Sequence, residues 1–246
     1  MSVEQRRREL AYRVRYLLNA YPAVYMPIAR ARHGSRPDYL VRRDTELVIE
    51  GAARSGNTFA VLAFASAQER PVRTAHHTHA PAQVLTAARW GIPTLVLVRP
   101  PLDSALAHMA LRGVTAGAAL SAWIRFHRSI LSVRDRFEVA SFAEVTRDFG
   151  AAVARVNARF GTSFGIFAHT PEHEEAVFAA IERRNAELRA GRKESERDLI
   201  LARPTAERSA LKDGLREQLD APGLEARRAE AEGLYRRFVG EPAPVR

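Results

Sequence analysis

One stretch constrains this chain more than any other: Leu47-Val48-Ile49-Glu50-Gly51-Ala52-Ala53-Arg54-Ser55-Gly56-Asn57-Thr58-Phe59. An apolar, β-branched run stops at a glycine, crosses small residues to a second glycine, and enters an alanine-rich segment. That order predicts a strand over 46–50, a tight loop, and a helix over 57–69. The backbone N–H groups of such a loop converge at the positive end of the helix dipole, where an anion is favoured. A chain built this way is committed to strands that feed helices.

The rest of the sequence keeps that rhythm. Val72–His76 reads as a short strand, and Pro81 opens a helix that runs to Trp90 and is capped by Gly91. Ile92–Val98 is an unbroken apolar run of the kind buried on both faces of a parallel sheet. Helices follow over 102–111 and 116–134. A fourth strand is expected at 137–140, with Ser141 capping a helix through Val145, and another helix over 148–160 ends at Gly161. Strand–helix alternation of this sort predicts an α/β fold, a central parallel sheet flanked by helices. Beyond Pro171 the pattern is wholly helical and charged, with apolar positions at helical spacing in 171–189 and 224–239. The piece 190–198 reads as mobile. At the other end, 3–21 reads as a helix that docks on the core through Leu10, Val14, Leu17, Leu18 and Tyr21, with arginines outward. Pro22, Pro27, Gly34 and Pro37 then mark an irregular link of about twenty residues. Taken together this is one domain over 1–246, with its core at about 45–165 and a helical tail over 171–246.

Composition removes several classes of function. There is no cysteine among the 246 residues, so disulfides, thiolate metal sites and cysteine nucleophiles are excluded. No run of about 18 apolar residues occurs, so no transmembrane helix is expected, and a cytoplasmic location is the default reading. The formal charge is +10. It is almost wholly arginine, without the dense basic block interleaved with aromatics that single-strand binders show, so nucleic acid is not the expected partner.

The spacing Gly51-x-x-x-x-Gly56-Asn57-Thr58 is nearly the P-loop pattern, with Asn57 where the lysine belongs and Arg54 placing a cation inside the loop. Ser55, Asn57 and Thr58 add donors for phosphate oxygens. The neighbouring apolar strand ends in Arg99, where a metal-holding carboxylate would be needed, so a magnesium-dependent NTPase or kinase is disfavoured. Two arginines at two strand ends suit a ligand with two anionic groups and no metal. His76-His77-Thr78-His79 raises metal binding, but no carboxylate or fourth ligand is near in sequence and strand alternation splits the side chains. One histidine at the end of the second strand could instead take a proton from a hydroxyl, the other two serving packing or surface.

Three blocks resemble the sulfotransferases that use 3′-phosphoadenosine 5′-phosphosulfate (PAPS), a family with a P-loop-like three-layer fold. Arg54-Ser55-Gly56-Asn57-Thr58-Phe59 resembles the family's 5′-phosphosulfate loop, Thr78-His79-Ala80-Pro81 its T-H-x-P segment, and Val96 to Ala107 its 3′-phosphate strand–loop–helix. Phe137 to Val145 is a weaker echo of the strand and acidic turn that follow. The resemblance covers about 46–161. It implies that Arg54, Ser55, Gly56, Asn57 and Thr58 hold the 5′-phosphosulfate, that Arg99 holds the 3′-phosphate, and that His79 is the base, with Arg54 also offsetting charge on the leaving oxygen. PAPS is then a co-substrate, no metal is required, and the acceptor is a small-molecule, lipid or carbohydrate hydroxyl. Two departures are visible: Ala107 stands where the family carries serine, with Ser104 one turn earlier, and the C-terminal glycine-rich motif is absent, leaving a basic stretch over 203–212. The alternative reading is a nucleotide-binding or scaffold protein of the same fold without transfer activity.

Overall fold

The computed structural model describes residues 3–34, 36, 38–190 and 214–240. Four parallel strands form its sheet: β1 (Leu47–Gly51), β2 (Thr74–His76), β3 (Thr94–Val98) and β4 (Glu138–Ser141), in the order β2-β1-β3-β4. The chain leaves β1 toward β2 on one side and returns to β3 on the other, so the strand order reverses between β1 and β3. In open α/β sheets, the crevice beyond the carboxyl ends of such a pair is where ligands bind. Both central strands are buried along their whole length.

The helices are α1 (Val3–Leu18), α2 (Pro22–His33), α3 (Asn57–Ser66), α4 (Pro81–Trp90), α5 (Pro101–Arg112), α6 (Ala116–Ile130), α7 (Phe142–Arg147), α8 (Phe149–Phe160), α9 (Pro171–Ala190) and α10 (Glu225–Val239). Strand alternation sorts the core into two layers. Leu47, Ile49, Leu95 and Leu97 meet α3, α8 and α9 through Phe59, Phe64, Phe149, Val153 and Ile181. Val96 and Val98 meet α6 and α10 through Trp123, Phe126 and Phe238 on the opposite face. The α/β reading is therefore correct, and its boundaries hold to within about three residues for β1 through α8. Helix α6 is the exception: it was expected to reach 134 but ends at Ile130, and 131–136 tightens instead into a 3₁₀ turn.

The N-terminal region departs from expectation twice. Residues 22–33 are a helix, not an irregular link. Pro22 sits in its first turn, where no N–H is needed, and Ala23, whose carbonyl Pro27 cannot satisfy, is exposed, so solvent can take the place of the lost bond. The second departure is one of orientation. Leu10, Val14, Leu17, Leu18 and Tyr21 are 38–63% exposed, while Tyr12 and Tyr16 on the other side of α1 turn toward the interior. The stripe expected to dock on the core faces outward. The expected basic stretch 203–212 and the piece 191–198 lie outside the described residues.

Candidate functional site at the carboxyl ends of the strands

The loop after β1 is held in a shape few sequences can adopt. A Cβ on Gly51 would stand 2.5 Å from the Leu97 carbonyl oxygen, so glycine is what lets β1 approach β3 here. Arg54 has φ +71° and Gly56 φ +93°. Only glycine takes such angles freely, and a left-handed arginine costs of order 1–3 kcal/mol, retained where surrounding structure over-determines it. Two bonds do so: Ser104 Oγ donates to the Ala53 carbonyl at 2.9 Å and Arg99 Nη1 to the Arg54 carbonyl at 3.2 Å. Helix α3 then starts at Asn57 with no side-chain cap, which leaves its first-turn N–H groups without an intrahelical acceptor. The Ser55 hydroxyl, both amide atoms of Asn57 and Nε of Arg99 are buried with no hydrogen-bond partner among the described residues. Of these, Asn57 Nδ2 and Arg99 Nε are donors on residues that line the crevice, and unpaired donors at a helix N-terminus fit an oxyanion, since each such group left unmet costs about 1–3 kcal/mol.

Arg99 leaves the end of β3 in the same crevice. Its guanidinium lies 4.1 Å above the Phe142 ring, and burial lowers its pKa from the usual arginine value. Phe142 is fixed there by local sequence. The Ser141 side chain accepts from Glu144 N and the Glu144 carboxylate accepts from Ser141 N, a capping box that starts α7 at Phe142. The same ring lies 3.4 Å from where a Gly56 Cβ would be, so it wedges between loop and arginine. Nothing in the position of an isolated phenylalanine announced this; only its place directly after the Ser141 cap pointed to it.

The third wall comes from the end of β2. His77 and His79 have φ +63° and +51°, so with Arg54 they are the three non-glycine residues of positive φ among those described, all on one cavity. His79 Nδ1 lies 2.9 Å from the Gly51 carbonyl, which can only accept; Nδ1 therefore carries the proton and Nε2 keeps its lone pair. Burial, reinforced by Arg15, Arg54 and Arg112, lowers the His79 pKa to about 4, so the ring is neutral at pH 7. His77, expected to be packing or surface, instead joins its Nε2 to Thr58 Oγ1 at 3.2 Å and lies 3.5 Å from Arg184 of α9. Beneath both histidines sits Glu50, fully buried in β1, whose carboxylate oxygen accepts from Thr78 N at 2.7 Å. Burial raises its pKa to about 8, so it is mostly protonated at neutral pH. Glu50 was not singled out in the sequence; a carboxylate inside an apolar strand run was the available signal.

These walls enclose a cavity of about 670 Å³. Arg54, Gly56, Asn57, Thr58, His79 and Arg99 all line it. Ser55 does not: its residue is wholly buried beneath the loop, against Gly51. Phe59, Phe178, Tyr12 and Tyr16 make the remainder largely apolar and aromatic. Ser104 spends its hydroxyl proton on Ala53, and Ala107 is buried. Among the described residues no three of His, Asp or Glu are grouped to hold a metal ion.

No protein-family model matches this sequence, and no curated protein matches it either. Among solved structures, mouse sulfotransferase SULT7A1 complexed with PAP is similar to this chain, with 13% identity and a TM-score of 0.42 over 81% of this chain and 92% of that one. The likeness is one of chain trace and assigns no residue a role.

Proposed function

We propose that this protein is a sulfotransferase that moves a sulfuryl group from PAPS to an acceptor hydroxyl, without a metal. One observation carries the reading: an uncapped helix N-terminus with the half-buried Arg54, a second half-buried arginine at the next strand end, and a neutral histidine of fixed tautomer share one cavity. Four arginines line this cavity, Arg15, Arg54, Arg99 and Arg112, and a surplus of cations of this kind suits a ligand with more than one anionic group; Arg54 and Arg99 are the two that follow strand ends. The resemblance of the three sequence blocks gives that ligand a name.

In this reading the α3 amides, Arg54, Asn57 and Thr58 hold the 5′-phosphosulfate, with Ser55 supporting the loop from below, and Arg99 holds the 3′-phosphate over Phe142. PAPS supplies the activated sulfuryl group. His79 Nε2 accepts the proton of the acceptor hydroxyl as its oxygen bonds to sulfur, while Arg54 meets the charge left on the departing phosphate oxygen. Positioning and fixed donors do most of the work, with removal of one donor costing about 10²–10³ in rate and of the base about 10²–10⁴. A base with a pKa near 4 is weak, but the same burial that depresses it makes it sensitive to a bound polyanion, which raises it.

The alternative, a nucleotide-binding protein of this fold without transfer activity, has an observation of its own. Ala107 offers no hydroxyl to the Arg99 side of the cavity, and Ser104 is committed to Ala53. Transfer of labelled sulfate from PAPS to acceptors in a cell extract separates the two readings. The sulfotransferase reading predicts label that disappears in His79→Ala while nucleotide binding persists; binding without any label, in wild-type protein, supports the alternative.

A further inference from the structure

We propose that the outward face of α1 and α2 docks this protein on an anionic lipid bilayer. Seven large apolar side chains stand exposed on these helices and the turn between them: Leu10, Val14, Leu17, Leu18, Tyr21, Val24 and Ile28. Leu10 is 63% exposed, Tyr21 55% and Ile28 56%, and the only other exposed large apolar residues described are Leu102 and Ile166. A periodic stripe of this kind is ordinarily what a helix buries. Here the opposite side of α1 does the burying: Tyr12 and Tyr16 line the cavity, Tyr12 OH meets His108 Nδ1 at 3.3 Å, and Asn19, just past the helix, donates to the His79 carbonyl at 3.2 Å. The stripe is thus left outward by a helix that is anchored.

Charge selects the occupant. Residues 1–43 contain ten arginines against three acidic residues, so seven of the ten net positive charges of the chain fall in this segment. Arg7, Arg30, Arg32 and Arg36 are exposed; Arg15, also exposed, lines the cavity, while Arg42 donates to the Gly34 carbonyl and Arg43 lies over the Trp90 ring. Apolar side chains that enter the acyl boundary, with arginines that meet headgroup phosphates, are the composition of a helix lying in a membrane interface. A second copy of the chain would bring the same arginines against these, which opposes self-association through this face. No described helix is long and apolar enough to cross a membrane, so the helices lie on the bilayer. Since α1 also walls the cavity, docking would bring that cavity beside the lipid headgroups.

The test is co-sedimentation of the full chain with vesicles of phosphatidylcholine alone or with about 30% phosphatidylserine. It needs no nucleotide, so its outcome is independent of the sulfotransferase proposal. We expect binding to the anionic vesicles only, lost at about 0.5 M salt where the Debye length falls below about 5 Å. The triple variant L10S/V14S/L17S, whose sites are exposed, should keep wild-type circular dichroism and bind at least about tenfold more weakly; R7E/R30E/R32E should do the same. Absence of binding to anionic vesicles overturns the proposal. So does binding that L10S/V14S/L17S leaves unchanged, a wild-type dimer that this variant converts to monomer, or capture by polyglutamate without capture by vesicles.

Discussion

Helices α1, amphipathic in its sequence, and α3, apolar in its own, were both expected to bury apolar side chains in the core, and the fold uses them in opposite ways. Helix α3 has Phe59, Ala60, Val61, Ala63 and Phe64 buried, and its uncapped first turn faces the cavity. It follows a strand and fills the space between the sheet and α9, so burial on most sides is the only arrangement open to it. Helix α1 precedes the sheet and covers one side of the cavity mouth with two tyrosines, leaving its aliphatic stripe outside. Periodicity establishes that something apolar must cover a stripe, and leaves open whether the cover is this chain's core or another surface.

The contrast can be broken most easily at the loop. Gly51→Ala places a methyl group 2.5 Å from the Leu97 carbonyl between two paired strands, and should cost about 3 kcal/mol or more, seen as a lowered urea midpoint or insoluble expression. Gly56→Ala forces a side chain into φ +93° beside Val145 and Phe142 and should cost about 1–3 kcal/mol by the same measurement.

A pH titration of stability sharpens the same point, because the buried histidines and Glu50 pull in opposite directions. Burial holds His76 and His79 at about 4 and His108 and His127 at about 3, against about 6.5 when unfolded. Between those values the unfolded chain binds more protons, so their contribution is complete above about pH 6.5 and is lost as pH falls toward 4. Glu50 is the reverse: its folded pKa of about 8 exceeds the unfolded 4.5, so its contribution is present at acid pH and is lost as pH rises from 4.5 through 8. Stability should therefore peak near pH 6.5, and Glu50→Gln should abolish the decline between 6.5 and 8. An unchanged alkaline decline in that variant would remove Glu50 from the account. The smallest effect belongs to the other region: Leu17→Ser, at a side chain 41% exposed, should cost no more than about 1 kcal/mol, since only part of its surface is covered.

Much of this was legible from the residues. The β1 and β3 runs are β-branched and leucine-rich, bounded by Gly51 and by Pro100, and buried central strands carry few other patterns. Pro81, Gly91, Ser141 and Gly161 punctuate helices by mechanisms that act locally, so they could be read locally. Arg54 and Arg99 were placed because strand ends share one edge of the sheet, whereas the choice of His79 among the three neighbouring histidines came only from the resemblance of Thr78-His79-Ala80-Pro81. What escaped depended on neighbours distant in sequence. Pro27 suggested a break but lies on a solvent face, where water can replace the lost bond. Glu50 supports the 77–79 turn from 28 residues away, His77 reaches Thr58 across two strands, and Ser55 points beneath its own loop.

The central claim is that Arg54, the α3 amides and Arg99 form one divided anion site. It is tested most directly by thermal denaturation with adenosine 3′,5′-bisphosphate, PAPS or Mg-ATP. The bisphosphate and PAPS should each raise Tm without metal, by the equivalent of about 2.7 kcal/mol of stabilisation at a ligand concentration of a hundred times Kd, and that rise should be lost in both Arg54→Ala and Arg99→Ala. No rise at millimolar bisphosphate, or a rise that either arginine variant leaves intact, would contradict it.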